Sequence, residues 1–207
     1  MYVTPEILAA QIAVLKLLGF RFATISEALA ANDAEKICCL SFDDGYSDNI
    51  ATGLPLLNKL GIKATVFIIT EDVGRKNHRW QEAGDNQAVD LMTWGEIKEL
   101  QRAGWEIGNH SSEHVHLARR SRQEQKAILE KSQATFVKNL GAPATGIAYP
   151  YGSFNADTVA VMQECNFYYG CTTAPGFASS SPSPFELNRF SMRGYHFWHR
   201  LAPLWLR

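Results

Sequence analysis

The chain has no excess of either charge. Twenty Lys and Arg stand against 21 Asp and Glu, for a formal net charge of −1. That removes the electrostatic footprint of a nucleic-acid or anionic-membrane binder. The one mildly basic patch, Ala118-Arg119-Arg120-Ser121-Arg122, reads as a solvated loop. Long hydrophobic runs are also missing. The longest apolar stretch near the start, residues 7–20, is interrupted by Gln11 and Lys16. It carries no basic leader and no small-residue cleavage site, so it reads as neither a membrane span nor a signal peptide. The expectation is action in the cytoplasm or at the inner membrane face, or in the cell envelope if an export segment is missing. Cysteine is scarce, 4 in 207 residues, and no C-x-x-C spacing occurs. Reduced, buried thiols are expected, with a Cys165–Cys171 bridge as the alternative. No internal repeat and no linker breaks the chain, so one domain over residues 1–207 is expected, ending in an aromatic tail over 194–207.

What is present alternates between two periods. Thr4-Pro5 opens a helix with its apolar face on Leu8, Ile12 and Leu15, stopped by Gly19. Phe20–Thr24 reads as a strand, and Ser26 as the cap of a short helix to Ala30. Ile37–Phe42 is a short apolar strand, followed by a helix to Leu60 that Gly61 ends. Lys63–Thr70 is another strand. Residues 71–92 lack periodicity and read as a loop long enough to be a lid or binding surface. Thr93–Glu96 and Ser121–Glu124 are capping boxes, opening helices to about Ala103 and to Leu140. Strands are expected at Trp105–Gly108, Thr145–Tyr149, Phe167–Thr172 and Leu187–Met192, and a helix over Ala156–Glu164. Strand and helix in turn predict an α/β fold with a parallel sheet, as a distorted or incomplete barrel of about seven parallel strands.

The chemistry-bearing residues all follow strands. Asp43 and Asp44 sit side by side after the Ile37 strand, and Gly45 lets the chain turn. Two adjacent carboxylates repel unless a cation, a proton or a substrate stabilises them; a solvated Asp-Asp-Gly turn is the plain alternative. His110 and His114 follow the Trp105 strand, four residues apart, so one helical turn would place both on one face. Pro150-Tyr151-Gly152 follows the Thr145 strand. In a parallel α/β fold these positions share the edge at the carboxyl ends of the strands, where such folds place their sites. Two imidazoles and one Asp form a metal site with open positions. Zinc suits those ligands best, and cobalt or nickel would also be accepted. The other Asp is left to take a proton from water, which points to hydrolysis of an amide or ester.

On these residues the chain resembles the polysaccharide deacetylases of carbohydrate esterase family 4. Ser41-Phe42-Asp43-Asp44-Gly45 is similar to that family's first motif and His110-Ser111-Ser112-Glu113-His114 to its second. Tyr149-Pro150-Tyr151-Gly152 is similar to its third, in the form of the poly-N-acetylglucosamine deacetylase branch. The resemblance implies removal of N-acetyl groups from an N-acetylglucosamine-containing polysaccharide or related surface glycan. It implies Asp43 as general base, and Asp44, His110 and His114 as ligands of a divalent metal. It also implies an oxyanion contact from the Tyr151 N–H, with the Tyr149-Pro150-Tyr151 turn meeting substrate. Two departures stand out. Where many members carry an Arg at the head of the third motif, this chain has Ala148, and Arg189 is the residue placed to supply that charge. The family's late Leu-x-His, which protonates the leaving amine, has no clean counterpart; His78, His116, His196 and His199 are the candidates, and a surface role explains each more simply. The aromatic tail reads first as packing over the open side of the barrel, and second as a glycan or membrane contact. Two other functions compete: an amidase acting on a lipid-linked sugar or small molecule, and a catalytically weak carbohydrate-binding relative.

Overall fold

The computed structural model describes residues 3–31, 35–77 and 89–192. Helix α1 (Pro5–Leu17) starts where Thr4 Oγ1 accepts the Ile7 N–H and Pro5 occupies the first turn. Strand β1 (Arg21–Phe22) follows, then α2 (Ile25–Leu29). The cap of α2 is Thr24, in a reciprocal box with Glu27, and not Ser26. Ser26 is used elsewhere: its N–H and its hydroxyl both donate to Glu106. The expected Ile37–Phe42 strand is divided into β2 (Ile37–Cys38), paired with β1, and β3 (Ser41–Phe42), paired with β4 (Thr65–Ile68).

The helix expected directly after the acidic pair begins as a π-helical turn over Asn49–Gly53 and becomes α-helical only in α3 (Leu54–Lys59). Pro55 has no N–H for an ordinary i→i−4 bond, and the Leu54 N–H reaches back to Asn49 O. Within the expected loop over 71–92, the described residues form a two-stranded antiparallel pair, β5 (Lys76–Asn77) with β6 (Val89–Asp90). Helix α4 (Trp94–Arg102), strand β7 (Glu106–Asn109), helix α5 (Arg122–Leu140) and strand β8 (Gly146–Ala148) follow in order, and both expected capping boxes are formed. Helix α6 (Ala156–Glu164) and β9 (Tyr169–Cys171) complete the regular elements. The strand expected at Leu187–Met192 is reduced to one parallel bridge, Leu187 with Cys171. The next two N–H groups are drawn away, Asn188 to Ser181 Oγ and Arg189 to Ala174 O. All four cysteines are free thiols, so the Cys165–Cys171 bridge is not formed. Among the described residues no helix is long and apolar enough to cross a membrane. The tail over 194–207, and His78, His196 and His199, lie outside the described residues.

The central sheet has five parallel strands in the order β3-β4-β7-β8-β9. Side chains alternate across it, as the two-residue period of a strand requires. Val66, Ile68, Ile107 and Ile147 face the helices and join Leu57, Ile97, Leu100, Leu129, Phe136 and Val161 in the main core. Phe67, Ala148, Tyr169 and Cys171 face the other way and form a separate cluster with Ile25 and Leu187. Glycine makes room for the two rings there. A Cβ on Gly108 would lie 2.4 Å from the Phe67 ring, and one on Gly146 would lie 2.0 Å from the Tyr169 ring. The inner cluster forms because the sheet curls: Arg189, beyond β9, reaches Asp43, beyond β3, so the two edges face each other. The result is an α/β fold on a curled, five-stranded parallel half-barrel.

Candidate active site

The carboxyl ends of β3, β7 and β8 converge on one point. After β3 the chain passes through two left-handed residues in succession, Asp44 at φ 73° and Gly45 at φ 80°. Asp is among the few non-glycine residues that tolerate this region. Gly45 is confined by packing as well, since a Cβ there would meet Ile68 Cγ2 at 3.0 Å. The reversal sends the two carboxylates to different partners, which answers their mutual repulsion.

Asp44 meets the histidines. Its Oδ1 lies 3.4 Å from His110 Nε2 and 3.5 Å from His114 Nε2, and its Oδ2 accepts the Tyr46 hydroxyl at 3.1 Å. One ligand atom from each of Asp44, His110 and His114 lies within 4.8 Å of the others. His110 is almost fully buried, and its Nδ1 is 2.7 Å from the Ala148 carbonyl. A carbonyl only accepts, so Nδ1 carries the proton and the neutral ring aims its Nε2 lone pair at Asp44. A lone pair facing a carboxylate oxygen at 3.4 Å is unfavourable without a positive charge between them. The trio therefore fits a cation, and the Ala148 carbonyl supplies the outer hydrogen bond that orients a metal-binding imidazole. The same carboxylates favour a proton on the ring: burial pulls the His110 pKa down, but the hydrogen bond that the ring donates to Asp44 and the charges of Asp43 and Asp44 raise it overall. Asp44 shows the converse. Burial pushes its pKa up, and the hydrogen bond to His110 and the two imidazoles bring it below the ordinary value.

His114 reaches the site by a route other than the expected helical turn. Residues 110–116 are bends and irregular backbone, with Ser111 at φ 65°. The Asn109 side chain makes that turn by accepting the Ser111 N–H at 2.6 Å, while its own amide donates to Ser132 Oγ on α5 at 2.8 Å. The Ser111 hydroxyl donates to Glu113 O. Asn109 and Ser111 are the positions that sequence reasoning missed. The available signal was an Asx turn, Asn followed two residues later by Ser, at a strand end.

Asp43 meets Arg189. Nη1 to Oδ1 and Nη2 to Oδ2 are both 2.9 Å, a bidentate pair, and Nη1 also donates to Ser41 Oγ at 3.1 Å. Arg189 is held in turn by Nε donating to Thr172 O at 3.1 Å and by the Phe67 ring, 5.8 Å from the guanidinium carbon. Burial alone would raise the Asp43 pKa; Arg189, by charge and hydrogen bond, outweighs it and takes the carboxyl down to about 2. Asp43 is therefore ionised and fixed in orientation. Ala148 lies inside the half-barrel, and the guanidinium comes from the segment after β9 instead.

The third turn divides its residues. Tyr149 is buried, its ring stacked 4.7 Å from Phe154 and its hydroxyl donating to Phe185 O at 2.8 Å. Pro150 is also buried. The side chains of Tyr149 and Pro150, expected to meet substrate, build the core beneath the turn. Tyr151 alone is presented, 54% exposed and held at φ 58°, with its ring 4.3 Å from His114 and stacked 4.1 Å from His116.

Comparison with known proteins agrees with this geometry. The polysaccharide deacetylase family profile matches residues 30–170, a span that holds both carboxylates, both histidines and the third turn. The chain is 31% identical over 156 residues to the Bacillus subtilis (strain 168) protein YxkH, covering 75% of this chain and 51% of that protein. It is 30% identical over 173 residues to a poly-beta-1,6-N-acetyl-D-glucosamine N-deacetylase of Staphylococcus aureus (strain MRSA252), covering 77% and 57%. It thus spans about half the length of the curated relatives it matches. Among solved structures, the Streptococcus pyogenes deacetylase PplD, in complex with acetate, superposes with a TM-score of 0.81 at 26% identity, covering 97% of this chain and 86% of that one. The chain belongs to the polysaccharide deacetylase family.

Proposed function

We propose that the protein is a metal-dependent hydrolase that removes N-acetyl groups from a glycan containing N-acetylglucosamine. The observation that carries this is the separation of roles between two adjacent acids. Asp44 faces two imidazole Nε2 atoms at 3.4 and 3.5 Å, while Asp43 is turned from them into a bidentate pair with Arg189. Family membership and the Staphylococcus aureus relative named for acting on poly-N-acetylglucosamine support the substrate class.

Asp44, His110 and His114 would hold a divalent cation. One carboxylate oxygen and two imidazole nitrogens suit zinc, and cobalt or nickel share the preference. Such an ion supplies Lewis-acid polarisation of the acetyl carbonyl and a lowered pKa for the attacking water. Asp43 accepts the proton that the water loses, with Arg189 keeping its oxygens aimed. Tyr151 offers its backbone N–H to the developing oxyanion and its exposed ring to the glycan chain. One water is consumed, the carbon–nitrogen bond breaks, the departing nitrogen takes up a proton equivalent to the one Asp43 removed, and acetate and a free amine leave. We read the curled sheet as an incomplete barrel, which the β1–β2 pair and the Leu187 bridge extend to about seven strands.

The test is acetate release from N-acetylglucosamine oligomers by chelator-treated protein, with zinc, cobalt or nickel added back. Release that depends on the ion and disappears in Asp43→Asn supports the proposal. Tight metal binding without acetate from any oligomer would sink it.

A further inference from the structure

The basic patch that the sequence presents as a solvated loop is the wall of a pocket beside the site. An open pocket of about 410 Å³ is lined by His114, Val115, His116, Arg119, Arg120 and Tyr151. One wall is aromatic: Tyr151 stacks on His116 with planes 17° apart. Two guanidiniums, of Arg119 and Arg120, line the same space, and among the described residues no acidic side chain does. His114 belongs to both the candidate metal trio and this pocket, so the two are contiguous.

The neighbouring cations show that these two arginines are differently employed. Arg122 is committed to the fold, donating to Asp157 at 3.4 Å and to Glu164, the latter shared with Lys126. Among the described residues Arg120 Nη1 has only a long approach of 3.9 Å to Glu124, whose other oxygen is engaged in capping α5 through Ser121. Arg119 makes no ion pair among the described residues. Their backbone, by contrast, is fixed. Leu117 is fully buried, the Ala118 N–H donates to Ser153 Oγ, and the Gln125 amide donates to Arg120 O at 3.0 Å. Two weakly committed guanidiniums on a pinned backbone, in one pocket with an aromatic pair, make a preorganised place for a sugar ring that bears an oxyanion.

Resting on the deacetylase reading, we propose that this pocket is a subsite for an acidic unit of the glycan, adjacent to the N-acetylated sugar being hydrolysed. Tyr151 and His116 carry the ring, and Arg119 and Arg120 take a carboxylate or a phosphodiester. The substrate class is then an anionic heteropolymer rather than a neutral homopolymer.

Binding without turnover tests this. The full chain is treated with chelator so that no oligomer is consumed, and calorimetry compares three oligomers of equal length: neutral N-acetylglucosamine, one alternating with a uronate, and one with phosphodiester links. One acidic oligomer should bind about tenfold tighter than the neutral one at low salt, which is about 1.4 kcal/mol. That margin should shrink in high salt and vanish in R119A/R120A. Which acidic oligomer wins identifies the oxyanion. R119K/R120K keeps both charges and should keep part of the preference. Equal binding of all three oligomers, a preference that survives R119A/R120A, or one lost as fully in the lysine variant would overturn the inference. Acetate release with metal restored is read separately, so failure of the subsite and failure of the deacetylase reading are distinguishable.

Discussion

The half-barrel holds carboxylates at both ends, one at the amino ends of the strands and two at the carboxyl ends, and the two ends are treated in opposite ways. At the amino ends of the strands, Glu106 accepts five hydrogen bonds: two from Ser26 and one each from Thr65, Thr145 and Tyr169. Every donor is neutral, they come from four separate segments, and both oxygens are occupied. At the carboxyl ends, Asp43 and Asp44 face charged or lone-pair groups instead. Asp43 is matched by one guanidinium, while Asp44 has one neutral donor, the Tyr46 hydroxyl, on Oδ2 and aims Oδ1 at two imidazole nitrogens. The first arrangement is complete within the chain and ties strands together. The second leaves Asp44 Oδ1 facing two imidazole nitrogens, the place where the proposed cation would sit. A carboxylate in the middle of a fold is therefore informative only through what surrounds it.

The comparison breaks most visibly at Asp43. Asp43→Asn should reduce acetate release by about 10²–10⁴-fold, the usual contribution of a general base, with metal affinity by calorimetry retained. His110→Ala should weaken zinc binding by at least the roughly 10–100-fold that loss of a ligand's hydrogen-bond partner costs, and activity should fall with it. Equal zinc affinity in wild type and variant would remove His110 from the site.

Arg189→Met sharpens the role of pairing. Asp43 is held at about 2, against an ordinary 3.8, so its ionised form persists through the working range of pH. Removing the guanidinium leaves burial opposed only by the charges of His110 and His114, so the pKa should rise. The acid limb of the kcat/KM profile should therefore move to higher pH, with a loss of about tenfold or more at neutral pH from misorientation. A depressed carboxyl pKa contributes stability above its unfolded value and loses it as pH falls. In wild type that loss should fall between about pH 4 and pH 2, and in Arg189→Met it should be absent. An unshifted acid limb in the variant would show that Arg189 does not tune the base.

Glu106→Ala should do the reverse of Asp43→Asn. It strands several partly buried donors and should cost about 2–3 kcal/mol in urea denaturation, with the activity of the folded fraction near wild type. The smallest effect is expected for Tyr151→Gly. It keeps the backbone N–H and removes the strain of φ 58°, so stability should change by no more than about 1 kcal/mol. KM should rise a few-fold through lost stacking, with kcat little changed; a collapse of kcat would give the ring a direct part in the chemistry.

Helix ends were legible because their signals are local. Thr93 and Glu96, or Ser121 and Glu124, are three residues apart and close their boxes whatever lies beyond. The Thr24 cap was misread because Ser26 has equal capping chemistry, and only Glu106, eighty residues on, claims it. The histidine spacing was legible but its geometry was not. Four residues fit a helical turn, yet Asn109 and Ser111 impose a bend, because Ser132 on α5 anchors the Asn side chain.

The sequence by itself determined the alternation of strand and helix, the capped helix starts, the family, and the set of residues after each strand. All of these depend on short-range chemistry or on motifs read as strings. The division of the two acids was implied by the resemblance alone, and tertiary structure supplied its geometry, because the positive φ at Asp44 matters only once β7 and β8 lie alongside. It also turned Tyr149 into the core and left Tyr151 out, and it brought Arg189 across 146 residues to Asp43. A curled sheet joins its two edges in space, and no local pattern in the chain encodes that distance.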